Sequence, residues 1–306
     1  MKRLKVGVVG AGVMGTYHLR NYAQNLNVEL IGLADVDEEK AKHRAAEFGI
    51  PAFCDYRELL GKVDAISIAS ISSTHGEIGE FFLSAGVHCL IEKPLALTPS
   101  DCARLGVAAE KGKAKLLVGH IERFNPAFLK LEEFLQAEGG VSALHFERFS
   151  PASSRICDAS VVEDLMVHDI DLALALMGDN PRSINAGKLP VNGKASADYV
   201  RAHVRFAGGE LATLTASRIG DTKARVLKVI CQDIAYELDF SAQSLKRISK
   251  GETENIEIVK ANQLQSEQEH FISCVQNDLA VRIPLAEAVR ALEVVWSIEK
   301  QLKEEA

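Results

Sequence analysis

The first 120 residues alternate between short apolar runs and longer stretches in which apolar residues recur every three or four positions. Short apolar runs are typical of strands buried on both faces, and the longer stretches are typical of amphipathic helices. This alternation predicts a parallel, doubly wound α/β sheet. The predicted strands are LKVGVV, VELIGLA, DAISIA, VHCLIE and AKLLVGH, and the helices between them cover residues 13–25, 37–48, 74–85 and 99–112.

The pattern changes after a helix that is predicted to begin near Pro126. A long helical pattern then ends at Gly178, and residues 182–260 form strand-like runs separated by turn residues. The Gly-Gly pair in FAGGE is typical of a tight hairpin. Runs of strands joined in this way predict an α+β region with an antiparallel sheet, followed by helices at residues 263–277 and 285–303.

The overall composition is that of an ordinary globular protein, with 47% hydrophobic and 25% charged residues. A chain of 306 residues is long for one core, so two domains are expected. The net charge of −7, without a long Lys or Arg run, argues against nucleic acid or an anionic membrane as main partner. The six scattered cysteines contain no CxxC pair. We expect a cytoplasmic protein whose start, MKRLKVGVVGAG, is a first strand and not a signal peptide.

A glycine-rich turn follows the first predicted strand. In VGVVGAGVMG, three glycines at G-x-G-x-x-G spacing, Gly10, Gly12 and Gly15, lie between this strand and the first helix. The first glycine permits the tight turn, the second lets a pyrophosphate approach the backbone, and the third allows close helix packing. The N–H groups of Val13 and Met14 are predicted to point at the phosphates. A glycine turn without ligand is the alternative.

Asp35 ends the second predicted strand, some 20 residues after the third glycine. A carboxylate at this position accepts hydrogen bonds from the ribose hydroxyls of the adenosine and repels a 2′-phosphate. Acidic residues follow without a nearby arginine, which favours NAD over NADP. Asp35 could instead cap the next helix, but Asp37 is better placed for that role.

Polar residues also follow the third predicted strand, in the sequence SIASISSTHGE. Ligands of open α/β sheets bind beyond the carboxyl ends of the strands, so Ser70, Ile71, Ser72 and His75 are candidate cofactor contacts. The residue types are equally consistent with a helix start capped by Thr74.

The sequence CLIEKPLALTPS places Glu92, Lys93 and Pro94 at the end of the fourth predicted strand. Proline fixes its own φ and restricts the preceding residue to extended geometry, so Lys93 is expected to be aimed at the nicotinamide crevice, with Glu92 beside it. A lysine partly removed from water can relay a proton or polarise a carbonyl. An exposed loop lysine is the alternative.

Asp164 and His168 are four residues apart in the helix predicted at 162–177, so they share one face. A carboxylate one turn from an imidazole can fix its tautomer, which suits a general base. The same spacing is found in surface His–Asp pairs and in metal sites, but no third metal ligand is evident. The residues alone leave catalysis and surface pairing open, and no metal is expected.

The three motifs together, G-x-G-x-x-G, EKP and D-x-x-x-H, resemble the Gfo/Idh/MocA oxidoreductase family over nearly the whole chain. The resemblance implies a Rossmann domain (residues 1–121), an α+β domain with an open, mainly antiparallel sheet (residues 122–284) and a last helix (residues 285–306) that packs back on the Rossmann domain. It implies NAD(P)-dependent oxidation or reduction at a carbon of a sugar or polyol, with Lys93, Asp164 and His168 as catalytic residues; Asp35 makes NAD the expected cofactor. A homodimer or homotetramer is usual in the family.

A finer likeness, in GHIERFNPA, SPASSRICD and DLMVHDIDL, is to the subgroup that oxidises C3 of UDP-N-acetylglucosamine. A diphosphate needs cations, and Arg123, Arg148 and Arg155 are the candidates, although each could be a surface arginine. The resemblance implies that His168 and Lys93 converge and share the transfer of the hydroxyl proton. Another sugar or polyol substrate and a non-enzymatic NAD-sensing regulator are the alternatives.

Overall fold

The computed structural model describes residues 3–151, 159–189, 198–221 and 223–304. The chain divides into two compact units. The first unit contains Met1–Ile121 and Asn262–Val289, and the second contains Glu122–Ala261 and Arg290–Ala306. Each unit has its own sheet.

The first unit is built from alternating strands and helices. Its N-terminal elements are β1 (Leu4–Val9), α1 (Val13–Gln24), β2 (Val28–Ala34), α2 (Glu38–Ala46), β3 (Ala52–Phe53), β4 (Ala65–Ile68), α3 (His75–Ser84), β5 (His88–Glu92), α4 (Pro99–Gly112) and β6 (Leu116–Gly119). All strand pairs are parallel, in the order β3-β2-β1-β4-β5-β6. The strand order reverses beside β1, and this arrangement confirms the predicted doubly wound α/β sheet.

The second unit carries an eight-stranded sheet and most of the remaining elements of the chain. These are α5 (Pro126–Glu138), β7 (Ala143–Phe149), α6 (Val167–Met177), β8 (Pro181–Leu189), β9 (Tyr199–Phe206), β10 (Leu211–Ser217), β11 (Ala224–Ile230), β12 (Ile234–Asp239), β13 (Ser244–Ser249) and β14 (Glu252–Ile256). Two further helices, α7 (Gln263–Gln276) and α8 (Leu285–Glu304), complete the chain.

The second sheet is antiparallel except at its centre. Its order is β14-β13-β12-β11-β7-β10-β9-β8, and only the β7–β10 pair is parallel within the described part of the chain. Strand β9 alternates buried and exposed residues along its length, so one face of this strand packs on the core and the other is exposed. The FAGGE hairpin joins β9 and β10, with Gly209 at a φ of 102°. The predicted α+β region with a mainly antiparallel sheet is confirmed.

Helix α8 is shared between the two units, and the prediction that residues 285–306 pack back on the Rossmann domain stays a prediction. From Arg290 onward its residues belong to the second unit, while α7 belongs to the first. The physical reason is an apolar stripe on α8 that is buried in the core of the second unit. The residues of this stripe are Ala291, Val294, Val295, Ile298 and Leu302.

Several local elements also differ from expectation. The helix predicted at 162–177 begins with a π-helical turn, Val162–Met166, before α6 continues to Met177 and ends at Gly178 with a φ of 70°. The strands β3, β8 and β13 were not predicted. None of the helices in the described ranges is long and apolar enough to cross a membrane.

Candidate functional site

The glycine turn after β1 leaves no room for side chains at two of its three glycines. Gly10 has a φ of +104°, and a Cβ on it would lie 2.4 Å from the carbonyl oxygen of Ala69. A Cβ on Gly15 would lie 1.8 Å from the carbonyl oxygen of Gly10. The start of α1 therefore packs directly on the turn, and the turn lies against the end of β4.

Gly12 differs because a Cβ placed on it would meet nothing within 4 Å. Helix α1 begins at Val13, and the first N–H groups of a helix have no acceptor within the helix. Val13 is 46% exposed and Met14 is half-buried. Open space beside Gly12, backed by a helix N-terminus, fits the pyrophosphate of a dinucleotide.

Asp35, in the loop after β2, is bonded to the glycine turn. Its Oδ2 accepts a 2.6 Å hydrogen bond from the N–H of Ala11, and its Oδ1 accepts one of 2.9 Å from the N–H of Asp37. Asp37 caps α2 by accepting from the N–H of Lys40, as predicted. Each oxygen of Asp35 keeps a second lone pair, so this carboxylate can accept from ribose hydroxyls while it holds the turn.

The residues after β4 form a compact turn. The hydroxyls of Ser70 and Thr74 are 2.7 Å apart, and Thr74 also donates to the carbonyl of Ile71. Thr74 makes no side-chain cap of α3, which settles the alternative that the sequence left open. Ile71 is 65% exposed and Ser72 is half-buried, so both remain candidates for cofactor contact.

His75 is buried at the start of α3. Only 1% of it is exposed, and its Nδ1 donates a 2.8 Å hydrogen bond to the carbonyl of Pro94. Its Nε2 lies 3.2 Å from the carbonyl of Ser70. Burial lowers the pKa of His75, which favours the neutral ring. His75 joins the turn after β4 to the one that carries Lys93, and its predicted contact with the cofactor stays a prediction.

Lys93 directly follows β5 and is half-buried, and its peptide bond to Pro94 is cis. Glu92 is 6% exposed, and its Oε1 lies 2.9 Å from Nε2 of His18 on α1. Its carboxylate is therefore enclosed, and the prediction that Glu92 contacts the cofactor stays a prediction. Sequence reasoning missed His18, although this residue shares the face of α1 that carries Leu19 and Tyr22.

In the second unit, Asp164 in the π-helical turn is bonded to Arg218, which follows β10. The guanidinium donates a 3.0 Å hydrogen bond to Oδ2 of Asp164 and further bonds to the carbonyls of Ala159 and Ser160. His168 lies one turn further, in the first turn of α6, and is half-buried. These hydrogen bonds from Arg218 hold the π-helical turn in place. Arg218 was not singled out from the sequence.

Arg148 is buried, and its guanidinium is hydrogen-bonded to carboxylates. It is 2% exposed, and it donates hydrogen bonds of 2.8 Å to Asp169 and 2.9 Å to Glu122. Burial raises the pKa of Asp169 to about 6, although the bonds from Arg148 act in the opposite direction. Through these bonds Arg148 ties β7 to α6 beside His168, while its predicted contact with substrate stays a prediction.

Arg123 is also buried, at 5% exposure, with its Nε 3.9 Å from Asp171 of α6. This position again supports α6, and the predicted contact of Arg123 with substrate stays a prediction. Arg155 lies outside the described residues. A cation that the sequence did not single out is Arg225 on β11, which is 47% exposed and 3.8 Å from Glu122.

The first unit thus combines a doubly wound parallel sheet, a close-packed glycine turn and a carboxylate at the end of β2. These features define a dinucleotide-binding oxidoreductase domain. A family model described as "Oxidoreductase family, NAD-binding Rossmann fold" matches residues 4–120, and one described as "GFO/IDH/MocA C-terminal domain" matches residues 142–237. The chain belongs to the Gfo/Idh/MocA family, and the predictions of an oxidoreductase and of NAD as cofactor are confirmed.

Individual relatives match most of the chain. UDP-N-acetylglucosamine 3-dehydrogenase of Acidithiobacillus ferrooxidans is 34% identical over 286 residues, which are 90% of each chain. A solved structure of that enzyme superposes with a TM-score of 0.94 at 32% identity and covers 99% of both chains. Myo-inositol 2-dehydrogenase of Thermotoga maritima is 29% identical over 70% of this chain and 69% of its own.

Proposed function

We propose that the protein is an NAD-dependent dehydrogenase that oxidises the C3 hydroxyl of UDP-N-acetylglucosamine to a ketone. The observation that carries this proposal is the similarity to the enzyme of that name from Acidithiobacillus ferrooxidans, at 34% identity over 90% of each chain. Relatives named as inositol dehydrogenases match shorter parts of this chain, such as the 70% matched by the Thermotoga maritima enzyme.

The chemistry requires removal of a proton from the hydroxyl and of a hydride from C3. Bound NAD supplies the hydride acceptor. Lys93 and His168 share the proton: one takes it from the hydroxyl and the other holds it or passes it on. Asp164 stabilises the imidazolium form of His168 and is kept in orientation by Arg218. The glycine turn and Asp35 bind the phosphates and the adenosine ribose.

Recognition of the diphosphate in this proposal needs a cation. Arg148 and Arg123 remain proposed contacts, although both are enclosed among carboxylates. Arg155 remains a proposed substrate contact on the basis of the sequence. Arg225, which is exposed, is an additional candidate.

The test is a turnover assay with the purified protein, NAD⁺ and a panel of UDP-N-acetylglucosamine, UDP-N-acetylgalactosamine, UDP-glucose, free N-acetylglucosamine and myo-inositol. We expect the appearance of NADH with UDP-N-acetylglucosamine. Substrate carrying deuterium only at C3 should yield deuterated NADH, which identifies the oxidised carbon. Turnover of myo-inositol without turnover of any UDP-sugar would refute the proposal and favour the second candidate, an inositol dehydrogenase.

We further propose a cytoplasmic homodimer or homotetramer. The compartment is supported by the five cysteines in the described ranges, which are all free thiols, as is usual in a reducing environment. An exposed face of the second sheet, which carries Arg201, His203 and Arg205 on β9, is the proposed contact between subunits. Light scattering coupled to size-exclusion chromatography measures the oligomer, and a monomeric mass at micromolar concentration would contradict it.

A further inference from the structure

A buried polar cluster lies beneath the end of β5 in the first unit. His18 of α1 is fully buried, with Nε2 2.9 Å from Oε1 of Glu92 and Nδ1 2.9 Å from the side-chain nitrogen of Gln268 on α7. Gln268 is 1% exposed, and its neighbour Glu267 is 0% exposed. The proton transfers proposed for Lys93 and His168 use none of these four side chains.

The hydrogen bonds define which groups donate. The side-chain nitrogen of Gln268 also faces the backbone carbonyl of His18, at 3.4 Å, so the amide presents its N–H groups to this residue. Nδ1 of His18 therefore accepts, and Nε2 carries the proton that is donated to Glu92.

Glu92 receives two N–H donors. Its Oε1 accepts from His18, and its Oε2 lies 3.3 Å from the backbone N–H of Lys93. Gly119 on β6 leaves the space for this carboxylate, because a Cβ there would lie 3.1 Å from Oε2. Both oxygens of Glu92 thus accept hydrogen bonds, which is the pattern of a carboxylate that carries the negative charge of the cluster.

Glu267 is the opposite case. Neither of its oxygens has a hydrogen-bond partner among the described residues. Burial, together with the charge of Glu92, raises the pKa of Glu267 well above its ordinary value. An enclosed carboxyl without donors beside a carboxylate retains its proton, so the two acids hold one proton between them.

The position of Glu92 relates the cluster to the cofactor. In a doubly wound sheet each half binds one nucleotide, and here the glycine turn and Asp35 serve the adenosine half. The nicotinamide half therefore belongs to the β4–β5–β6 side, and Glu92 ends β5. The nicotinamide ring carries a positive charge in NAD⁺ and none in NADH.

We propose that the ionised Glu92, with Glu267 as its protonated partner, is a fixed negative charge that makes the first unit bind NAD⁺ in preference to NADH. A buried anion acts on a nearby cation with less screening than a surface charge does. The effect favours loading of the oxidised cofactor and release of the reduced one. It does not depend on which sugar is oxidised.

Burial shifts two other ionisable groups near the two acids toward their neutral forms. Tyr22 of α1 bonds to Ser67 of β4, and burial raises the pKa of its hydroxyl, which therefore keeps its proton. Burial lowers the pKa of His75 on α3. Lys93 is unchanged in every variant described below, so comparison of the variants isolates Glu92 and Glu267.

The experiment measures the dissociation constants of NAD⁺ and NADH by calorimetry for the wild type, Glu92→Gln and the control Glu110→Gln. Glu110 is an exposed acid of α4, so its substitution removes a solvent-screened charge. We expect Glu92→Gln to reduce the preference for NAD⁺ on the order of tenfold, which corresponds to about 1.4 kcal/mol, and Glu110→Gln to leave it within error. Equal weakening of both cofactors in Glu92→Gln would overturn the proposal.

Glu267→Gln provides a second measurement that does not require Glu92→Gln to fold. In the wild type the preference for NAD⁺ should increase as the pH rises through the raised pKa of Glu267, because a second negative charge forms. This increase should be absent in Glu267→Gln, which cannot ionise. An increase that the wild type shows but Glu267→Gln lacks, and that is already complete at acidic pH in the ordinary range of a glutamate, would contradict a protonated Glu267.

Thermal unfolding checks the protonation state independently of any ligand. A carboxyl whose folded pKa is raised stabilises the fold fully below its unfolded pKa, and this stability is lost as the pH rises through the folded pKa. Glu267→Gln should therefore gain melting temperature relative to the wild type as the pH increases. A constant difference between the two proteins across pH would mean that Glu267 is ionised throughout, which would overturn the proposal.

Discussion

Arg218 holds Asp164 through a 3.0 Å hydrogen bond to Oδ2, and it also binds the carbonyls of Ala159 and Ser160. Both partners of this ion pair are mostly buried, at 11% and 14% side-chain exposure. The orientation of Asp164, which the proposed mechanism needs beside His168, therefore depends on a residue more than 50 positions away in sequence. Arg218 is a positioning residue in this scheme.

Arg218→Ala should lower kcat about 10- to 100-fold, because a hydrogen bond to a charged group contributes about 1.5–3 kcal/mol. Arg218→Lys restores the positive charge as a single ammonium group and should recover part of the lost kcat. The acidic limb of the kcat/KM profile should move to higher pH in Arg218→Ala, since an uncompensated carboxylate favours a protonated imidazole. If kcat fell without a shift of the acidic limb of the kcat/KM profile, Arg218 would have only a structural role.

Lys93→Ala and His168→Ala should each remove most turnover while the dissociation constant of NAD stays close to that of the wild type. General acid–base catalysis typically contributes ~10²–10⁴-fold, so losses of that size are expected in kcat. Steady-state kinetics and calorimetry provide the two measurements. Turnover close to wild type in either variant would show that the substituted residue is not the acid or base.

Gly12→Ala and Gly15→Ala form a matched pair in the glycine turn. A methyl group on Gly12 meets no atom within 4 Å, so this variant should melt near the wild-type temperature but bind NAD weakly. A methyl group on Gly15 would lie 1.8 Å from the carbonyl oxygen of Gly10, so this variant should be strongly destabilised. Tight NAD binding by Gly12→Ala would show that the open space does not receive the pyrophosphate.

Asp35→Ala should weaken NAD and relax the discrimination against NADP. The carboxylate accepts from the ribose hydroxyls and repels a 2′-phosphate, and both effects disappear with it. The ratio of kcat/KM with NAD to that with NADP is the measurement. Because Asp35 also accepts the N–H of Ala11, Asp35→Asn, which keeps an acceptor oxygen, separates loss of charge from loss of the turn. An unchanged cofactor ratio in both variants would contradict the ribose contact.

Arg148→Met should destabilise the second unit by about 3–5 kcal/mol, because it removes the buried guanidinium that bonds the enclosed carboxylates of Glu122 and Asp169. Arg225→Met is the control: it removes an exposed arginine near the same Glu122 and should cost about 1 kcal/mol or less. Urea unfolding gives both values. Similar small losses in the two variants would mean that Arg148 is not part of a buried ion network.

Five of the six strands of the first sheet could be predicted because each is a mainly apolar run, and the helices between them have clear start and stop residues. The strands β8 (PRSINAGKL) and β13 (SLKRIS) escaped prediction because they are largely polar and exposed, which leaves little apolar alternation. The two-residue β3 is too short for any period. Whether neighbouring strands pair in parallel or antiparallel could be predicted from the order of strands and helices along the chain, and not from any single residue.

The direction of polar side chains could not be predicted in the same way. Glu92, His75 and Arg148 were correctly located at strand ends or beside the candidate helix, but their side chains are buried against partners distant in sequence. Whether a polar group faces a crevice or the interior depends on those partners. His18 could have been noticed, since a histidine on the apolar face of α1, between Gly15 and Tyr22, needs a buried partner.

The assignment of α7 to the first unit has a consequence for synthesis of the chain. Residues 122–261 are translated between Ile121 and the helix that supplies Glu267 and Gln268. At the usual ~5–20 residues per second, this interval lasts on the order of ten seconds. During that time the ring of His18 lacks its hydrogen bond from Gln268. The first unit, whose N-terminal residues are translated first, is therefore complete only after residues 122–261 of the second unit have been made. A chain truncated before residue 262 would leave the face of α1 around His18 accessible to chaperones and proteases.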